Sequence, residues 1–143
     1  MNVEAILRNK GRSVVTIGAE ATVGQAVELM RRKGIGAIVV SEDGVAVQGI
    51  LSERDVVHAL AERGARLLEL SVAELMTRQV RTCKPGDGIA ELMAEMTGRR
   101  IRHLPVLQDG RLAGIVSIGD VVKNRLDEVE SEASSLRQFI ASA

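Results

Sequence analysis

Apolar residues along the chain change their spacing in a fixed order, and they do so twice. Val23, Ala26, Val27 and Met30 fall at i, i+3, i+4 and i+7, as do Ile89, Leu92, Met93 and Met96, which marks one buried helix face in each case. Thr22 with Gln25 can close a capping box at the start of the first. The apolar runs Ala37 to Val40 and Leu104 to Leu107 are too short for helices and read as buried strands. Asp43-Gly44 and Asp109-Gly110 follow them and read as hairpin turns. A second strand comes after each turn, and a helix begins at Ser52 or Ser117.

The predicted order in each unit is thus strand, helix, strand, strand, helix, and the two units are copies. Thr22 to Met30 lies over Gly88 to Met96, and Gly49-Ile50-Leu51-Ser52 over Gly114-Ile115-Val116-Ser117, with one extra residue in the first copy's turn. A core of about fifty residues rarely stands alone, so the units are expected to pack together as a pseudo-twofold α/β (α+β) pair with a cleft for a small ligand between them. Leu70 to Met76 reads as a short helix that begins the second unit, as Val3 to Leu7 begins the first. The divisions expected are residues 1–66, 67–126 and a C-terminal helix over 127–143.

Composition narrows the function. With 45% apolar and 27% charged residues among 143, the chain is globular rather than disordered. Phe139 is the only aromatic residue, so stacking platforms for bare bases are missing. Nineteen Lys and Arg balance nineteen Asp and Glu, which gives no whole-molecule field toward nucleic acid or an anionic membrane. Cys83 is alone, which excludes an internal disulfide framework and fits a reducing cytosol. No apolar run reaches the length of a membrane span and no leader pattern opens the chain, so a soluble, cytoplasmic protein is expected.

Chemistry concentrates where each hairpin ends. Ser52-Glu53-Arg54-Asp55 and Ser117-Ile118-Gly119-Asp120 share the form Ser-x-x-Asp. One copy alone is a capping box that satisfies orphan amides. Two copies facing one cleft suggest more: helix N-termini that attract an anion, with hydroxyl and carboxylate for a sugar diol. Arg54 adds a fixed cation for phosphate. The densest basic run, Arg99-Arg100-Ile101-Arg102-His103, is either a phosphate clamp or a solvated helix end, with Arg102 and His103 the residues expected to face the cleft. A His103 contact would raise affinity as pH falls through about 6.5. Gly34-Ile35-Gly36 follows a helix and enters a strand, the reverse of a dinucleotide fingerprint. His58 and His103 have no second ligand at helical spacing, and Cys83 has no neighbouring base, so neither metal nor nucleophilic chemistry is expected.

The second copy carries a specific string: Val72-Ala73-Glu74-Leu75-Met76-Thr77, Val80-Arg81-Thr82-Cys83-Lys84-Pro85, His103-Leu104-Pro105-Val106, Asp109-Gly110 and Gly114-Ile115-Val116-Ser117-x-x-Asp120. Taken together these residues resemble the CBS domain pair, or Bateman module, over nearly the whole chain. The resemblance implies a cleft that binds AMP, ADP or ATP, or less readily S-adenosylmethionine. It implies that Ser52, Asp55, Ser117 and Asp120 hold ribose and phosphate, and that Thr16, Ile17, Thr82 and Cys83 line the base pocket. Gly36, Ala37, Arg54, Arg102, His103 and Pro105 complete the candidate site. The first copy departs from the pattern with Ala19, Ala37 and Val39 where the second has Pro85, His103 and Pro105, so unequal half-sites are expected.

The reading is a regulatory, energy-sensing module rather than an enzyme, without a catalytic cofactor and with a downstream protein target. A ligand-free module that docks a partner protein is the alternative; a nucleotide hydrolase lacks an acidic pair for a metal. Nucleic acid and membrane are not expected partners. A homodimer is expected: Leu126, Val129, Ala133, Leu136 and Ile140 follow a 3, 4, 3, 4 spacing, the a/d stripe of a coiled coil over about two heptads. The competing reading is a helix folded back on its own domain.

Overall fold

In the computed structural model, which describes residues 1–142, two small sheets and their helices face each other. The first unit contains α1 (Val3–Lys10), β1 (Thr16–Ile17), α2 (Val23–Lys33), β2 (Ala37–Val40), β3 (Gly49–Ser52) and α3 (Glu53–Arg63). A 3-10 turn over Gly64–Glu69 leads to α4 (Val72–Leu75), α5 (Ile89–Arg99), β4 (His103–Gln108), β5 (Arg111–Ser117) and α6 (Ile118–Ser142). The mixed α/β class and the two repeats are as the sequence predicts, with three strands in the first sheet and two in the second. Among the described residues no helix is long and apolar enough to cross a membrane.

Local signals set the helix ends. Thr22 Oγ1 accepts from the Gln25 amide at 3.1 Å while Gln25 Oε1 accepts from the Thr22 amide at 2.9 Å, the reciprocal capping box. Gly34 closes α2 in the left-handed conformation, φ 65°. Asp109 and Gly110, at φ 52° and 75°, make the two-residue turn between β4 and β5.

Three predicted details come out differently. The segment at Asp43-Gly44 is an eight-residue loop, 41–48, because Asp43 Oδ1 accepts from the Val45 and Ala46 amides, both at 2.9 Å, and turns the chain on itself. The strand expected to open the second unit shrinks to a single parallel bridge, Cys83 with Val106. Pro85 removes the next donor, and the Lys84 amide turns to Asp87 Oδ2 at 2.9 Å. The helix after Ser117 and the C-terminal helix are one continuous helix of 25 residues.

The helix that precedes each unit packs on the other unit. Val3, Ile6 and Leu7 of α1 join Cys83, Ile89, Leu92, Met96, Leu104, Val106, Val116 and Val121 in one core. Val72 and Met76, from α4 and its end, join Ala26, Met30, Ile38, Val40 and Leu51 in the other. Backbone bonds mirror the exchange: the Val3 amide donates to Asp87 O at 3.0 Å, and the Val72 amide to Ala21 O at 2.7 Å. Each sheet has an apolar face too wide for its own helices, and the extra helix removes it from water.

Two glycines permit the close approach. A Cβ on Gly114 would lie 2.7 Å from Leu7 Cδ2, and one on Gly49 would lie 2.6 Å from Met76 Sδ and 2.9 Å from the Thr77 carbonyl. Leu7 and Met76 are the residues that each exchanged segment drives against the partner sheet.

Candidate functional site

The β3–α3 junction is built from its own residues. Ser52 ends β3 opposite Ala37 of β2 and caps α3: Ser52 Oγ accepts from the Asp55 amide at 3.2 Å, and Asp55 Oδ2 accepts from the Ser52 amide at 2.9 Å. The β5–α6 junction repeats this with Ser117 opposite His103, Ser117 Oγ to the Asp120 amide at 3.2 Å and Asp120 Oδ2 to the Ser117 amide at 2.9 Å. Both Ser-x-x-Asp motifs are therefore capping boxes. Each carboxylate keeps its Oδ1 oxygen outside the box, so capping and ligand contact are compatible.

A cleft of about 290 Å³ opens at the first junction. The first unit supplies Gly36, Ala37, Ile50 and Ser52 through Asp55. The second supplies Thr77, Gln79, Val80 and Arg81 before α5, and Arg100 through His103 between α5 and β4. Four guanidinium groups, of Arg54, Arg81, Arg100 and Arg102, thus face two carboxylates, Glu53 and Asp55. Such a site favours an anion.

Of the residues singled out from sequence, Gly36, Ala37, Ser52, Arg54, Asp55, Arg102 and His103 line this cleft. Thr16, Ile17, Thr82, Cys83 and Pro105 do not. Ile17 packs against the first core, and Thr82 is exposed. Pro105 is buried in β4 opposite Ile115. Cys83 is buried in the second core, and burial pushes its thiol up to about 12, which keeps it protonated and inert. Arg81 and Lys10 were missed. Both arrive through the exchange of α1 and α4, which brings the residues after α4 to the cleft and Lys10, at the end of α1, to Asp120 in the mirror half-site.

Ser117 and Asp120 belong to the mirror half-site, and Lys10 fills it. Lys10 Nζ donates to Asp120 Oδ2 at 2.6 Å and to Ile115 O at 2.9 Å. Burial alone would raise the Asp120 carboxyl; the Lys10 and Ser117 hydrogen bonds outweigh it and hold the carboxyl below its ordinary value. His103 is half-buried, and its imidazole is held below 6.5, first by burial and then by the Lys10 charge, against the opposing pull of Glu53 and Asp120.

Known proteins share this fold. The chain is 32% identical over 146 residues to the Arabidopsis thaliana CBS domain-containing protein CBSX3, mitochondrial, covering 96% of this chain and 71% of that one. The crystal structure of the CBS-domain containing protein ATU1752 from Agrobacterium tumefaciens superposes with a TM-score of 0.84 at 48% identity, over 87% of this chain and 99% of that one. More distant chains share the fold. PAE2072 from Pyrobaculum aerophilum, complexed with AMP, has a TM-score of 0.74 at 24% identity, over 84% and 89% of the two chains. The CBS domain pair of MJ0100, in complex with 5′-methylthioadenosine and S-adenosyl-L-methionine, has a TM-score of 0.77 at 23% identity, over 90% and 98%. The CBS domain model matches residues 5–62 and again 72–127. With two such repeats exchanging helices around one cleft, the chain belongs to the CBS domain family as a tandem pair.

Proposed function

We propose that the protein is a regulatory module that binds an adenine nucleotide at the β3–α3 half-site and signals its level to a downstream protein. The observation that carries this reading is the convergence of Arg54, Arg81, Arg100 and Arg102 on the capped N-terminus of α3. Guanidinium groups and a helix N-terminus take the phosphates. Asp55 accepts from the ribose hydroxyls, and Ile50, Val80 and Ile101 give the base an apolar wall. The adenosine ligands of PAE2072 and MJ0100 support the base assignment.

Charge separates the candidate ligands. Four arginines exceed what one monophosphate uses, so ADP and ATP bind more tightly than AMP, and S-adenosylmethionine, a cation, binds weakly. One nucleotide binds per chain, because Lys10 already holds the mirror carboxylate. The solitary, buried Cys83 suits a reducing compartment such as the cytosol.

Titration calorimetry with AMP, ADP, ATP, S-adenosylmethionine and the inosine nucleotides tests the reading. Binding in the order ATP, ADP, AMP, with inosine forms weaker, supports it. No binding of any adenosine compound at millimolar concentration would leave a module that acts through protein contacts alone.

A further inference from the structure

A second cavity, of about 340 Å³, lies behind the arginines of the cleft, between the end of α5 and the start of α6. Arg54, Arg100, Ile101 and Arg102 line both cavities and form the partition between them. Beyond it stand Met96, Thr97 and Ile118, and no carboxylate lines this cavity among the described residues. None of the three partition arginines is in an ion pair among the described residues, so the partition keeps its charge for a ligand.

The first unit holds the mirror cavity, of about 560 Å³, with Met30, Gly34, Ile35, Gly36 and Glu53 where the second has Met96, Arg100, Ile101, Arg102 and Ile118. The methionine and the first isoleucine are common to both. Two arginines stand against two glycines, and an isoleucine against a glutamate. The arginine of the mirror cavity, Arg31, is held by Glu28 at 2.8 Å. Arg100 ends α5 in the left-handed conformation, φ 55°, where Gly34 ends α2 with φ 65°. That conformation is strained for an arginine and free for a glycine, so the guanidinium is held at this place at a cost in stability.

Either cavity alone is near the bottom of the range of about 300 to 1,000 Å³ that small-molecule sites occupy, and the two joined fall within it. A diphosphate seated on the partition has its two ends on opposite sides, adenosine in the first cavity and a second substituent over Met96 and Ile118 in the other. A further phosphate there would lie against apolar side chains, and a cation would meet the arginines, so the second substituent is uncharged. Given the adenine-nucleotide reading of the cleft, on which this class rests, we propose that the site takes an ester of adenosine diphosphate with an uncharged, largely apolar arm. Arg54, Arg100 and Arg102 hold the diphosphate, and the second cavity holds the arm.

Titration calorimetry of the full chain with ADP, ADP-ribose and dephospho-coenzyme A decides the matter. The two esters carry the same diphosphate charge and differ in the arm, hydroxylated in the first and largely apolar in the second. Dephospho-coenzyme A should bind at least as tightly as ADP, although it has less negative charge. It should bind about fourfold to fifteenfold more tightly than ADP-ribose, the worth of one or two methylenes taken from water. Thr97 is exposed and lines the second cavity without lining the first. Thr97→Trp should fill that cavity and bring the two esters to equal affinity, with circular dichroism checking the fold. Arg100→Gly relieves the left-handed arginine, so the fold is kept, and should weaken both esters about tenfold. Equal affinity of the esters in the wild type while ADP binds, an advantage of dephospho-coenzyme A that survives Thr97→Trp, or no loss on Arg100→Gly would each overturn the inference and leave the nucleotide reading standing. Absence of binding by ADP and both esters at millimolar concentration would remove that reading as well.

Discussion

Lys10 and Asp120, 110 residues apart, are joined by a 2.6 Å ion pair that fills the second half-site with a side chain of the protein itself. Asp55, the mirror of Asp120, is faced at the corresponding chain position by Gln79, which lines the open cleft. The difference between Lys10 and Gln79 thus adds to the differences between the copies at Arg54 and Gly119 and at Ala37 and His103.

Lys10→Met should free Asp120 and raise the number of nucleotides bound per chain from one to two in calorimetry. Because the pair is only partly buried, the stability loss should stay near about 1 kcal/mol. An unchanged stoichiometry of one would show that something other than Lys10 closes that half-site.

At the open half-site, Arg54→Ala should weaken ATP by about 1.5 to 3 kcal/mol, the range for a charge-assisted hydrogen bond, and weaken AMP less. Asp55→Ala should weaken both alike, since both share the ribose, and should also cost about 1 kcal/mol of stability through the lost cap. Equal losses for ATP and AMP on Arg54→Ala would remove the guanidinium from the outer phosphates.

His103 gives two pH effects of opposite sense. Its folded-state value lies below the ordinary 6.5, by burial and the charges of Lys10 and Arg102 against Glu53 and Asp120. The stability this gives is fully present above about pH 6.5 and is lost as pH falls through the folded value. A bound phosphate favours the imidazolium and raises its value in the complex, so affinity should instead rise as pH falls from that raised value toward the depressed value of the free protein. Denaturation and calorimetry at about pH 5.5 and 7.5, compared with His103→Gln, check both; identical pH profiles for wild type and variant would refute them.

The close approaches at the exchanged segments predict a ranking. Gly49→Ala meets Met76 Sδ and the rigid Thr77 carbonyl, whereas Gly114→Ala meets only the Leu7 side chain. Gly49→Ala should destabilise by about 1 to 3 kcal/mol, and Gly114→Ala by less, because Leu7 can change rotamer. Urea denaturation measures both, and a reversed order would contradict the packing at β3.

Features held together by neighbours in the chain were legible from the residues alone. The capping boxes of Thr22, Ser52 and Ser117 close over three residues, and the apolar period marks α2 and α5 without reference to anything distant. The duplication itself follows from comparing two stretches of one sequence, and the family from the resemblance carried by the second copy's string between Val72 and Asp120. Arg54, Asp55, Arg102 and His103 could be named as cleft residues because they sit beside those local features. The turn at Asp43 was misread because Asp-Gly fits both a two-residue hairpin and the longer loop that the Asp43 side chain stabilises.

Tertiary structure decided which sheet each preceding helix covers, since α1 is as apolar on its inner face as either core requires and its own sequence carries no preference. Once α1 crosses to the second sheet, Lys10 arrives at Asp120, and the residues after α4 arrive beside Asp55, so the exchange delivers to each half-site a residue that its own unit does not supply. The exposed stripe on α6 was likewise decided by tertiary structure. A 3, 4, 3, 4 pattern serves equally for folding back or for pairing, and only the short reach of α5 leaves Leu136 and Ile140 in water. A hydrophobic pattern states that a face must be buried; the geometry of the remaining chain determines against what.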